Sequence, residues 1–348
     1  MKRGLLFAIL VCAWAGTPAL RAQEKEQPLD INLPTANTAL YTGEYDKFYQ
    51  VVERDFEGVK STPWQGGQYG FVRDPVETPQ GIVYTRFHEG VDIKPLQRDA
   101  GGMPLDPVMS IANGTVAYAN ATAGFSNYGK YVVVDHLWGG CHYYSLYAHL
   151  NKVVVTAGQK VAKGDQLGVL GFTGEGLDMP RAHVHFEINL MLSSAFDAWH
   201  TTYFPGDVNH HGNYNGINLA GFNPAAFLLA LKKNPALTVP DFLSHEEVFY
   251  KVLIPRSAHF DLPKFYPWML DKKSPADPAS WEVSFTQSGV PLHIATSGRQ
   301  VDAPELSWAK PAPIEYSKIT RDVISGKGDH AELSTTGLHL MKLLISPD

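Results

Sequence analysis

Cysteine is nearly missing from this chain: among its 348 residues only Cys12 and Cys141 occur. Cys12 lies in an amino-terminal stretch that reads as a removable leader, so the processed chain keeps Cys141 alone. This excludes a disulfide within the chain and any zinc site built from several thiolates. An excess of positive charge is missing too. The formal net charge is −6 and the lysines and arginines are scattered, which leaves no electrostatic footprint for nucleic acid. Beyond the leader, no segment supplies the roughly 18 uninterrupted apolar residues of a membrane helix, so no transmembrane segment is expected after processing. Internal repeats and low-complexity tracts are also absent. The fold must rest on an ordinary core, a bound metal, or both.

What is present fits a globular protein. Hydrophobic residues make up 44% and charged residues 18%, and the length suits one sizeable core plus a second element, or two modest domains. Lys2 and Arg3 precede an apolar run at residues 5–14, and small residues follow to Ala22. That is the pattern of a secretory signal peptide over residues 1–22, cut after Ala22 or Ala19. Its apolar run is too short to cross a bilayer of roughly 30 Å. Val11, before Cys12, is bulkier than the residue a lipoprotein signal prefers. The expected destination is the periplasm or the cell exterior.

Residues 23–60 form a polar lead, expected to lie on the outside, with residues 45–55 as one short helix. Residues 63–189 read as short strands between glycine turns, clearest at 115–119, 131–136, 142–150, 152–156 and 166–170. Helical signals are nearly missing there, which predicts a compact antiparallel β-structure. Residues 193–223, rich in Asn, His and Gly, read as a long irregular loop. Asn223 as cap and Pro224 at the first position predict a helix over 224–233. Residues 236–348 form an extension with strands near 281–286 and 292–295 and a short helix near 338–344.

The segment from His183 to Leu190 alternates without a break. His183, His185, Glu187 and Asn189 fall on one face; Val184, Phe186, Ile188 and Leu190 fall on the other. A period of two means a strand with its apolar face buried. It projects both imidazoles the same way, roughly 6–7 Å apart. Such a pair can serve one metal directly, or divide into a ligand and an acid/base. His88 and Asp92 would stand roughly 13 Å apart in an extended strand, but Gly90 between them lets the backbone bend, and imidazole nitrogen and carboxylate oxygen both suit zinc. The run His88-Glu89-x-x-Asp92 superficially matches a helical zincin motif with Glu89 as base; Gly90 and the β-branched neighbours of Asp92 oppose a helix. His149 ends a strand whose face carries Tyr143, Ser145 and Tyr147, opposite Leu146, Ala148 and Leu150, and an imidazole there suits proton transfer at neutral pH.

Taken in order, His88-x-x-x-Asp92, Tyr147-Ala148-His149-Leu150, the glycine-punctuated words from Gly158 to Gly168, Gly171-x-Thr173-Gly174 and His183-x-His185-Phe186-Glu187 resemble the M23, or lysostaphin-type, metallopeptidase domain over roughly residues 85–190. The resemblance implies a mainly β, antiparallel catalytic domain of that type with few short helices, spanning residues 61–235. It implies that His88, Asp92 and His185 bind one zinc ion per chain, leaving a position for water, and that His149 and His183 form the catalytic pair. The implied activity is endopeptidase cleavage of peptidoglycan peptides; the alternative is a noncatalytic wall-binding or amidase-activating module. Two segments depart from the family pattern, residues 175–182 and 95–106, and both are expected to border the substrate groove.

Of the remaining candidates, His136 reads as structural, His210 and His211 as a solvated loop, and Cys141 as a packed thiol. Asn127-Tyr128-Gly129 reads as a turn, with substrate contact by Tyr128 as the alternative.

Overall fold

The computed structural model describes residues 28–271 and 278–347; the expected signal peptide lies outside the described residues. Within them no helix is long and apolar enough to cross a membrane.

The molecule is built mainly of antiparallel strands. Its principal sheet has seven, ordered Lys160–Val161, Gly114–Asn120, Tyr131–Trp138, Cys141–Ala148, Val184–Met191 and Leu219–Phe222, with Val91–Ile93 sharing the last edge. Val184–Met191 is the central strand of the site. On one side it pairs with Cys141–Ala148; on the other, Val91–Ile93 takes its first half and Leu219–Phe222 its second. The register sets Asp92 directly opposite His185 on one side and Ala148 opposite it on the other. Residues opposed across an antiparallel pair have Cβ atoms about 5 Å apart on the same face, so pairing alone brings Asp92 beside His185.

The alternation of the central strand is realised as expected. Val184, Phe186, Ile188 and Leu190 join the main hydrophobic cluster, which runs from Leu33 through Tyr147 and Phe186 to Tyr250 and Leu343. The opposite face carries the polar ladder beside a small cluster of Tyr131, Val133, Leu146, Ala148, Met191 and Leu219. All eight strand residues are buried, because the polar face is roofed as well.

Several boundaries differ from the expectation. The helix expected over residues 45–55 covers only Tyr45–Phe48, and the chain then runs extended so that Tyr49 bridges Ile93. The lead is not superficial: Leu40, Phe48 and Tyr49 are buried in the main core. Residues 193–223 are not one irregular loop; they hold the helix Phe196–Tyr203 and the strand Leu219–Phe222. Pro224–Lys233 is a helix as expected, with Asn223 Oδ1 accepting from the Ala226 N–H at 3.0 Å. The carboxy-terminal region forms a four-stranded antiparallel sheet, ordered Pro291–Ser297, Ser280–Phe285, Tyr250–Pro255, Glu305–Ala309, followed by the helix Thr335–Leu343.

Candidate metal centre and active site

The hairpin Gly70–Thr78 with Gly81–His88 delivers His88 at its end, and Glu89 and Gly90 form the bend before Val91–Ile93. The bend is tight against the central strand. A Cβ on Gly90 would sit 2.4 Å from the Phe186 carbonyl oxygen and 2.8 Å from Glu187 Cγ. Glycine is therefore needed here for close approach rather than for a left-handed conformation. The segment is no helix, and Glu89 turns away to pair with Arg321 at 2.8 Å, so the zincin-like arrangement is not formed.

Three atoms converge. His88 Nε2 lies 3.0 Å from His185 Nδ1 and 3.0 Å from Asp92 Oδ1, and His185 Nδ1 lies 3.1 Å from Asp92 Oδ1. These three residues are the one such cluster of potential metal ligands among the described residues, and all are buried. The outer nitrogen of each imidazole faces an acceptor: His88 Nδ1 donates to the Gln68 carbonyl at 2.7 Å, and His185 Nε2 donates to Glu187 Oε1 at 2.7 Å. In neutral rings the inner nitrogens then carry lone pairs. Two imidazole lone pairs and a carboxylate oxygen crowd one point, at separations close to the roughly 3.3 Å edge of a tetrahedron with bonds of about 2.0 Å. Lone pairs at that spacing repel unless a cation or proton sits among them, so the donor set fits a zinc-like ion. Burial lowers the His185 pKa, but hydrogen bonds to Asp92 and Glu187 outweigh it and push it up to about 10. Asp92 goes the other way. Its burial disfavours charge, yet His183, His88 and Arg73 hold its carboxyl well below the usual range.

His149 and His183 flank this triangle. Their rings are 4.8 Å apart, and His149 is 5.8 Å from the His185 ring. His183 Nδ1 donates to the Arg181 carbonyl at 2.7 Å and His149 Nδ1 to the Thr173 carbonyl at 2.8 Å. Both therefore turn Nε2 toward the centre, and His183 Nε2 reaches Asp92 Oδ1 at 3.3 Å. Burial first, then the neighbouring His183 and His185, push His149 well below the ordinary histidine value. The sequence reading of His149 needs correction. Tyr143 and Tyr147, expected to share its face, belong to the main core on the far side of the sheet. The strand ends at Ala148, and His149 takes a left-handed conformation with φ 62°, which turns its ring to the face of His183 and His185. A non-glycine residue held there costs of order 1–3 kcal/mol and marks a constrained position.

Sequence reasoning missed several partners. Arg73 Nη2 lies 2.6 Å from Asp92 Oδ2. The Gln50 side chain donates to the Ala182 carbonyl at 2.9 Å, next to His183, and the Gln50 N–H donates to the Asp92 carbonyl at 2.8 Å. The Tyr128 hydroxyl donates to Glu187 Oε1 at 2.6 Å and its ring lies 5.6 Å from that of His185. The two expanded segments meet, since Arg98 donates to the Met179 carbonyl at 2.8 Å and the Pro180 carbonyl at 3.2 Å.

His211 is not solvated. It is buried, its Nδ1 2.8 Å from the Tyr118 hydroxyl, because Tyr118, Tyr131 and Tyr214 form an aromatic roof around it. His210 stays exposed and stacks on Phe125 at 4.1 Å. His136 is structural as expected, bonded to the Asn113 carbonyl and Ser145 Oγ, and Cys141 is packed in the core.

Residues 86–197 match peptidase family M23. The chain is 31% identical over 193 residues to an uncharacterized metalloprotease of Haemophilus influenzae, covering 54% of this chain and 38% of that protein. It is 33% identical over 102 residues to the peptidoglycan DD-endopeptidase ShyA of Vibrio cholerae, covering 29% of this chain and 20% of ShyA. It is 30% identical over 90 residues to lipoprotein NlpD of Yersinia enterocolitica, covering 26% of this chain and 84% of that protein. The chain thus spans well under half the length of the first two of these relatives.

Proposed function

The chain belongs to peptidase family M23, and on that premise we propose that it is a zinc-dependent endopeptidase that hydrolyses peptide bonds in bacterial cell-wall peptidoglycan. One observation carries the reading: His88 Nε2, Asp92 Oδ1 and His185 Nδ1 close a triangle with sides of 3.0, 3.0 and 3.1 Å, each imidazole having its other nitrogen committed elsewhere. His88, Asp92 and His185 would hold the ion. Zinc, when bound, supplies a Lewis acid that polarises a carbonyl and brings the pKa of water to about 7.

The chain's own groups supply the rest. His149 and His183 present Nε2 to the same space, so one imidazole accepts the proton released as water attacks and the pair passes a proton to the departing amine. The carbonyls of Thr173 and Arg181 fix which ring nitrogen is free. Glu187 and Tyr128 hold the His185 ring, and burial of His88, Asp92, His183, His185 and Glu187 keeps competing solvent out. We further propose that residues 61–235 form the peptidase unit, that residues 236–348 are an extension to it, and that the protein acts in the periplasm or outside the cell, where such a substrate is met. The name of ShyA, a peptidoglycan DD-endopeptidase, supports the substrate class.

The test is digestion of purified sacculi beside an unrelated folded protein, with and without a chelator. Soluble peptidoglycan fragments released only from sacculi, and abolished by chelation, are expected. Binding to sacculi with no release at any metal loading would replace this reading with a noncatalytic wall-binding or amidase-activating module.

A further inference from the structure

Asp92 uses its two oxygens differently. Oδ1 faces three imidazoles, at 3.0 Å from His88, 3.1 Å from His185 and 3.3 Å from His183. Oδ2 is taken by Arg73 at 2.6 Å. The same guanidinium donates through Nε to the Gly66 carbonyl at 2.9 Å. Arg73 lies outside residues 86–197, which match the family, on the first strand of the hairpin that ends in His88.

The local structure aims it. The hairpin pairs Gly70 with His88 and Phe71 with Phe87, then slips, so that Arg73 rather than residue 72 opposes Arg86. Such a bulge bends a strand and redirects the side chains beyond it. The Gly66 turn is wedged in turn: a Cβ there would meet Val52 Cβ at 2.6 Å, and one on Gly67 would meet the Gln50 carbonyl at 2.4 Å. The segment that carries the carbonyl anchoring Arg73 Nε is thus packed closely against Gln50 and Val52. The guanidinium bonds the carbonyl through Nε and the carboxylate through Nη2 in one rigid plane, a geometry that the flexible point charge of a lysine does not fix.

We propose that Arg73 is a positioning residue that holds Asp92 Oδ2 away from the metal, restricting Asp92 to one-oxygen coordination and keeping a coordination position open. The inference rests on the zinc reading given above. A free carboxylate can bind an ion with one or both oxygens; here the second oxygen is already engaged in a charge-assisted bond.

The test uses the full chain, stripped of metal and loaded with Co2+ alone, comparing wild type with Arg73→Gln and Arg73→Lys by visible absorption and by metal competition with a chromophoric chelator. Four-coordinate Co2+ absorbs more strongly in the visible than five-coordinate. Wild type should show the strong bands. Arg73→Gln should show weakened bands, as Oδ2 joins the ion, with affinity reduced about 10–100-fold; Arg73→Lys should fall between. Circular dichroism melts establish folding. Variants with the wild-type spectrum and affinity overturn the proposal. If neither variant folds, Arg73 belongs to the hairpin's structure and the proposal is overturned as well. A folded wild type that takes up no Co2+ instead removes the zinc reading itself.

Discussion

His185 Nε2 lies 2.7 Å from Oε1 of Glu187, two residues further along the same strand, and the Tyr128 hydroxyl donates to that same oxygen at 2.6 Å. The carboxylate fixes the ring's outward nitrogen as a donor and so turns Nδ1 to His88 and Asp92. Replacing Glu187 with Gln should weaken zinc binding about 10–100-fold. Tyr128→Phe, which removes one hydrogen bond to the carboxylate and leaves the carboxylate itself in place, should weaken zinc binding by less than about tenfold. Competition with a zinc-sensitive dye measures both, and unchanged affinity in Glu187→Gln would show that the carboxylate does not govern the ligand.

His149→Ala and His185→Ala should separate proton transfer from metal binding. His149→Ala is expected to keep near-wild-type zinc stoichiometry while sacculus digestion falls about a hundredfold to ten-thousandfold. His185→Ala should lose both. Zinc analysis of the dialysed proteins beside digestion rates checks this, and equal loss of metal in the two variants contradicts the division of roles.

Gly90→Ala should damage the centre through sterics alone. Its Cβ would meet the backbone oxygen of Phe186 at 2.4 Å, which no rotamer change relieves. A loss of about 1–3 kcal/mol is expected, read as a lowered denaturation midpoint, together with weaker zinc binding as His88 and Asp92 are pushed apart. A variant as stable as wild type would mean that the bend moves freely.

Stability should fall with acid through His136. Burial depresses its pKa from the ordinary 6.5 to about 4, against the raising effects of the Asn113 carbonyl and Asp135. The unfolded chain thus binds a proton that the folded chain refuses, and stability declines as pH drops from about 6.5 towards about 4. The gap between those values corresponds to about 3 kcal/mol. His136→Gln should be less stable near neutrality but flatter with pH over that window. Denaturant titrations at several pH values test it, and identical pH slopes in the two proteins would remove His136 as the cause.

The part of the site legible in the sequence was the part written in local pattern. Strict alternation from His183 to Leu190 identified a strand and its two faces, and that face does carry His183, His185, Glu187 and Asn189. The glycine between His88 and Asp92 signalled the bend, although its reason, the Phe186 carbonyl, was invisible. The capped helix over Pro224–Lys233 was read to the residue because its signals, Asn223 and Pro224, lie within one turn. Local pattern misled at His149. Parity would send its ring to the core with Tyr147, and one left-handed residue reverses that.

The sequence by itself determined a β-rich chain carrying His88, Asp92, His149, His183 and His185 in the order of family M23. Only the tertiary structure decided how they are held. The register put Asp92 opposite His185, and the lead, the hairpin and the turn between them supplied Gln50, Arg73 and Gln68. The physical reason is that a strand's periodicity records which way its own side chains point, whereas a carbonyl or guanidinium arriving from 19, 20 or 132 residues away leaves no periodic trace in either segment.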